Sequence, residues 1–216
     1  MGLLIFVCGN WPVKVNLLSP DIYEIEDFVS LDEQTAILDY CKSLDESEWW
    51  KSEDFGWTDS DSEQYKKGFF YGKQKLGPKP KEFNSINANL ENLFSDLHYI
   101  DKLSLQRHPS GNFMEPHRDY WNKALDTHVR YGVVVYFNDE YEGGAIKYPD
   151  INLVHKPKAR SLILHGGNIL HGTTKVTSND YRYFSTSFVR GTVDKPVILN
   201  QELFGDVEQS DGSNYP

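Results

Sequence analysis

The stretch Glu115-Pro116-His117-Arg118-Asp119 decides how this chain is read, together with Leu170-His171-Gly172 and Tyr181-Arg182-Tyr183 further on. These segments supply two imidazoles, one carboxylate and a later guanidinium in the order that a mononuclear iron site would use. Two His and one carboxylate on one side of a metal leave cis positions open for an oxidisable co-substrate and O2. His117 and Asp119 are two apart, so on an extended segment their side chains point the same way and can share one ion. His171 lies far downstream and only the fold can deliver it, as in a metal site carried by a β-barrel.

His-x-Asp is a weak signal on its own. The chain has 7 His, and a surface His beside a solvated Asp is the better explanation of an isolated pair. The surroundings carry the case. Pro109-Ser110-Gly111 is a turn just ahead of the pair. Val133-Val134-Val135-Tyr136-Phe137 is a β-rich run, and Gly143-Gly144 punctuates a hairpin. Strands are expected at about 103–107, 113–117, 132–137, 145–148, 161–164 and 181–190. Short strands with turn signals between them point to a sandwich or jelly roll. Arg182, Phe184, Thr186 and Phe188 share one face of the last strand, which turns Arg182 toward the interior. A buried guanidinium needs an anion, and a bidentate carboxylate suits its planar fork.

Upstream, Ile22–Glu26 alternates apolar and acidic residues like a half-buried strand. Ser30 with Glu33 is a capping-box pattern that opens a helix to about residue 46, with Ile37, Leu38, Cys41 and Leu44 on one face. Phe83, Ile86, Leu90, Leu93 and Leu97 recur at helical spacing and predict a second helix. Both would pack their apolar stripes on the outside of a sheet. Between them, residues 49–80 mix aromatics with charge and glycine. They read either as aromatics plugging the core or as a flap over the site, since connections this long are usually functional or disordered.

At 216 residues and 39% hydrophobic content, the chain is long enough for one well-buried domain and too short for two. One domain over 1–195 is expected, with its jelly-roll core at about 100–190 and an acidic, partly disordered tail at 196–216. A net charge of −10 argues against duplex nucleic acid as a partner, because phosphate attraction needs a basic face. The apolar start, Met1 to Val7, is too short to span a membrane and reads as an edge strand or a disordered start, with a clipped secretion signal as the lesser alternative. Cys8 and Cys41 form no metal or redox motif, so a reducing cytoplasm is the expected home. His98 reads as a helix-end residue and His128 and His155 as solvated. His108 and His165 could face the site as hydrogen-bonding neighbours.

Four segments, LQRHPSGNFMEPHRD (105–119), VVVYFNDEYEGGAIKYPD (133–150), KPKARSLILHGGNILHGTTKV (156–176) and DYRYFSTSFVRG (180–191), carry a family resemblance. From about Leu103 to Arg190 the chain resembles the iron(II)/2-oxoglutarate-dependent dioxygenases, within them the prolyl 4-hydroxylase-like branch. The resemblance implies a mainly β fold, a double-stranded β-helix (jelly roll) with two or more helices outside. It implies His117, Asp119 and His171 as iron ligands, and Arg182 as partner of the distal carboxylate of 2-oxoglutarate. Tyr136, in the family's Tyr-Leu-Asn-like position, would hold the same carboxylate by a hydrogen bond. Iron(II) and the co-substrates 2-oxoglutarate and O2 follow from it, with room for ascorbate as an accessory reductant. The chain departs from the family at His108, where Tyr is usual, at Arg160, where Gly is common, and at His165, where Phe is common.

The expected function is a hydroxylase acting on an organic or peptide substrate, peptidyl proline first. An oxygenase of the same fold acting on a free amino acid, another small molecule or a nucleobase stays open. So does a non-catalytic metal-binding jelly roll, which would have no need of Arg182. The oligomeric state is not legible.

Overall fold

Strand parity organises the molecule. On β11 (Thr127–Tyr136) and β14 (Leu162–Gly166), Val133, Val135, Leu162 and Leu164 face one way, whereas Tyr136 and Ile163 belong to a separate cluster on the other side. Successive strand residues point to opposite faces, so each strand feeds two interiors at once. The computed structural model describes residues 3–7, 11–51, 73–75, 79–96, 99–119, 121–122, 127–192 and 197–205.

A large antiparallel sheet runs in the order β1 (Leu3–Val7), β2 (Trp11–Ser19), β3 (Ile22–Glu26), β14, β11, β16 (Arg182–Gly191), β8 (Gln106–His108), β5 (Lys73–Lys75) and β4 (Trp49–Lys51). A smaller one has the order β13 (Leu153–His155), β12 (Ile146–Tyr148), β15 (His171–Thr173) and β9 (Met114–His117). The chain passes repeatedly between the two sheets, which is the double-stranded β-helix expected from the sequence. Residues 3–7 form an edge strand paired with β2.

The outer face of the large sheet carries the main core. Helix α1 (Leu31–Ser43) starts at the expected capping box, with Glu33 N donating to Ser30 Oγ at 3.2 Å and Ser30 N donating to Glu33 Oε2 at 2.8 Å. It buries Ile37 and Cys41, and helix α2 (Glu82–Glu91) buries Phe83, Ile86 and Leu90. These side chains meet Val133, Val135, Leu162 and Leu164 in one cluster. Each fully buried aliphatic or aromatic side chain there contributes about 1.5–3 kcal/mol. Past the sheets, β17 (Ile198–Leu199) pairs with β6 (Phe94–Asp96), and Val197, Leu199 and Leu203 are buried against the core.

The inner face holds a smaller cluster of Ile22, Tyr136, Ile146, Tyr148 and Ile163. This is the chamber between the sheets. Of the segment 49–80, Trp49 is buried, and the Arg107 guanidinium lies 4.4 Å from its ring and 4.4 Å from that of Tyr181. Trp49 is therefore core. The remainder of the flap expectation, along with Leu97 and His98, falls mostly outside the described residues. Among the described residues, no helix is long and apolar enough to cross a membrane.

Candidate metal centre

His117 ends β9 and His171 begins β15, and the two are direct partners across the small sheet. The pairing puts their rings 4.4 Å apart. Asp119 follows β9, held by its backbone N–H donating to Gly167 O at 2.9 Å, and Gly167 N in turn donates to Arg130 O on the large sheet. The motif thus bridges both sheets at one end of the chamber. Arg118, between the two ligand candidates, points outward and ties this turn down through Asn168 O and Asp150.

Both candidate imidazoles are oriented by the same local device. His117 Nδ1 lies 2.9 Å from Glu115 O, and His171 Nδ1 lies 3.0 Å from Ile169 O. A carbonyl can only accept, so each Nδ1 carries the proton and donates, which turns each Nε2 toward Asp119 as the atom able to bind a metal. Those two Nε2 atoms lie 3.3 Å and 3.6 Å from the Asp119 carboxylate oxygens. All three donor atoms fall within 4.8 Å of one another. Cis donors on an ion bound at about 2.1 Å sit roughly 3 Å apart, so the set needs little adjustment to close on one metal. Two neutral imidazoles and one carboxylate, with no thiolate, suit a non-haem iron site.

The electrostatics agree with that use. Burial alone would push the Asp119 carboxyl up, yet His117, His165 and His171 around it hold it well below the usual carboxylate range. Burial works to lower the His117 pKa, but the hydrogen bond and charge of Asp119 outweigh it and raise it. His171 is pushed down to about 3 by burial, with His165 adding to the effect. It stays neutral, as a ligand must be.

Across the chamber, Arg182 on β16 is 2% exposed, and no carboxylate among the described residues forms an ion pair with it. Its NH1 faces His108 Nδ1 at 3.2 Å and its NH2 donates to Tyr136 Oη at 3.1 Å, while Nε has no partner. The guanidinium lies over the Phe184 ring at 4.1 Å. A guanidinium has only donors, so His108 Nδ1 accepts and this imidazole is neutral; burial and then the Arg182 charge push its pKa far down. Tyr141 completes the cradle, its phenol pushed up to about 12 by burial against the opposing pull of Arg182. The close approach depends on Gly144, where a Cβ would lie 2.9 Å from the Tyr141 ring and 3.1 Å from Arg182 Cδ.

Every residue singled out in the sequence for the site faces this chamber: His117, Asp119, His171, Arg182 and Tyr136. His108 and His165 face it as well, at two of the three positions where the chain departs from family habit. Tyr141, Tyr148 and Gly132 went unnoticed. For Tyr148 the signal was present, since it shares a strand face with Ile146, but Tyr141 sits in a loop where no periodicity applies. His155 corrects the expectation of a solvated ring: its Nε2 is 3.0 Å from Oε1 of Glu24, a carboxylate buried on β3 that requires a counter-charge or donor. His128 is half-buried on β11.

These burials set a pH dependence. His108 and His171 have lowered folded pKa values, so the unfolded chain takes up their protons as pH falls through about 6.5 and the folded chain does not. Stability of the metal-free protein therefore drops between pH 7 and 5, by up to about 1.4 kcal/mol per pH unit for each residue. The raised His117 contributes stability that is fully present below about pH 6.5 and is lost only as pH rises through its folded pKa, so it does not offset this decline. Guanidinium midpoints at pH 7, 6 and 5 should decline steadily, and a flat series would contradict two buried neutral imidazoles.

Residues 103–190 match the family described as the 2OG-Fe(II) oxygenase superfamily. No curated protein matches the chain. Among solved structures it is similar to the viral collagen prolyl hydroxylase of Paramecium Bursaria Chlorella virus-1 in its 2OG complex, at 14% identity over 81% of this chain and 98% of that one, TM-score 0.56. A Pseudomonas putida prolyl-4-hydroxylase aligns at 16% identity over 81% and 94%, TM-score 0.58. A Trichoplax adhaerens prolyl hydroxylase, solved with a hypoxia inducible factor oxygen degradation domain peptide fragment, aligns at 14% over 88% and 89%, TM-score 0.58. Identities this low establish a shared fold, the double-stranded β-helix.

Proposed function

We propose, from the match of residues 103–190 to the 2OG-Fe(II) oxygenase superfamily, that the chain is an oxygenase of this kind and hydroxylates a peptidyl substrate, proline first. His117, Asp119 and His171 would hold iron(II). Arg182, with Tyr136 as second donor, would hold the distal carboxylate of 2-oxoglutarate. Bound iron supplies the oxidising chemistry with O2 and 2-oxoglutarate, which leaves as succinate and CO2.

This chain's own residues bind, orient and exclude. The Nδ1–H bonds to Glu115 O and Ile169 O fix both ligand rings, so little reorganisation is needed on metal binding. The Arg182 fork offers paired N–H groups to a planar carboxylate, and Tyr136 orients that fork from the side. Ile146, Tyr148 and Ile163 line the chamber and keep bulk water from the co-substrate. A cytoplasmic home goes with this reading, supported by the free thiol of Cys41.

One observation carries the proposal. Arg182 is a buried cation with no acidic partner among the described residues, in the same chamber as an intact His-Asp-His set. A metal-binding jelly roll without catalysis would gain nothing from such a charge, which costs several kcal/mol to bury unpaired. The peptidyl-proline part is supported by the prolyl hydroxylase neighbours and rests on fold likeness alone.

Succinate formation from 2-oxoglutarate and iron(II), with and without proline-containing peptides, tests both levels. We expect slow uncoupled succinate release from the protein alone and stimulation by a suitable peptide. No succinate under any condition would remove the oxygenase assignment. Basal release that no proline peptide stimulates would retain it and remove the substrate.

A further inference from the structure

Asp119 has a neighbour that a three-ligand site does not use. His165 lies on β14, 1% exposed, on the chamber side of the strand with Ile163. Its Nδ1 is 3.2 Å from the phenol oxygen of Tyr148, itself fully buried on β12. Its Nε2 is buried without a hydrogen-bond partner and faces Asp119 Oδ2 at 3.7 Å. Its ring centroid is 4.0 Å from that of His171.

The backbone is shaped for this meeting. Gly132 is the register partner of His165 in the middle of β11. A Cβ there would lie 2.5 Å from His165 Nε2 and 2.8 Å from Asp119 Oδ2. Any larger residue would fill the gap through which the two side chains face each other. A glycine inside a central strand weakens the strand, and close approach by other groups is the usual reason for one.

The tautomer follows from the partners. If Nδ1 carried the proton, the Nε2 lone pair would face a carboxylate oxygen in a site of low dielectric, which is repulsive. With the Tyr148 O–H donating to Nδ1, the ring proton sits on Nε2 and faces Asp119 as a donor. We propose that His165 is a positioning residue for Asp119, locked by Tyr148, which holds one carboxylate oxygen so that the other is left to the metal. The pair Tyr148–His165 is the outer support of the carboxylate, as Glu115 O and Ile169 O are of the two ligand imidazoles. An aromatic ring without nitrogen, such as the Phe common at this position in the resembling family, could pack here but could not donate.

The inference rests on the metal-site reading above, and metal binding can be measured without turnover. Metal-stripped full-length protein is titrated with Co(II) by calorimetry and visible absorption, for the parent, His165→Phe, His165→Gln, Tyr148→Phe and Asp119→Ala. Loss of an outer-shell partner typically weakens metal binding about 10–100-fold, and His165→Phe should fall in that range. His165→Gln, which keeps an N–H donor, should recover part of the loss. Tyr148→Phe removes a single hydroxyl and should weaken binding several-fold, so the proposal stays testable even if His165→Phe fails to fold. Parent-like affinity in both His165→Phe and Tyr148→Phe, with Asp119→Ala inactive in binding, overturns the inference alone. Loss of one coordinated imidazole in the X-ray absorption spectrum of His165→Phe also overturns it, by making His165 a ligand. Unchanged affinity in Asp119→Ala overturns the metal-site reading itself.

Discussion

Asp119→Ala is expected to abolish turnover and to weaken iron(II) binding by more than the roughly 100-fold that marks the upper end of outer-shell losses. Among the described residues, the variant removes the one carboxylate of a pocket that otherwise presents His117, His165 and His171. Two neutral imidazoles remain as donors, and nothing balances the dipositive charge of the ion. Calorimetric titration with iron(II) under anaerobic conditions, or with Co(II) in air, measures the affinity directly. His117→Ala and His171→Ala should behave alike, because each deletes one of three donors that converge within 4.8 Å. Parent-like binding in all three variants would mean that the metal, if any, sits elsewhere.

Arg182→Met should raise the KM for 2-oxoglutarate by roughly ten- to a hundred-fold, with Arg182→Lys between it and the parent. A charge-assisted hydrogen bond in a buried site is worth about 1.5–3 kcal/mol, which corresponds to that range. Lys keeps the charge and loses the planar fork, whereas Met loses both. Stability should move the other way. The guanidinium is buried with no acid among the described residues to balance it, so the co-substrate-free Met variant should melt no lower than the parent. Adding 2-oxoglutarate with a redox-inert metal should stabilise the parent and leave Arg182→Met unmoved. An unchanged KM together with a lower melting point in the Met variant would make Arg182 a purely structural residue.

Much of the site was legible because its logic is local. His117 and Asp119 sit two apart on an extended segment, and the strand period alone turns them the same way. Arg182 reads as inward from its alternation with Phe184, and the helices read from Ser30–Glu33 and from the spacing of Phe83, Ile86 and Leu90. Other features lack any such local signal. His171 lies on a strand of only three residues and β13 has the same length, too short for a pattern, whereas β2 was missed although Val13, Val15 and Leu17 alternate with Lys14 and Asn16. The extents of β11 and β14 exceeded the expected runs because ladder pairing with β16 and β3 extends strands past their apolar stretches.

The sequence by itself determined the donor set, its order and the faces on which most of its members lie, since those follow from strand and helix periods. Only the tertiary structure decided what those donors meet. That His165 faces Asp119 depends on the register of β14 against β11, which sets Gly132 opposite the imidazole. That His108 accepts from Arg182 depends on the pairing of β8 with β16. Register is fixed by the sum of many cross-strand contacts and by loop closure, and a slip of one residue would turn each of these side chains to the other face. No single stretch of sequence encodes it, so the candidate ligands and the neighbouring His108 and His165 could be read from the chain, whereas the atoms those two imidazoles meet could not.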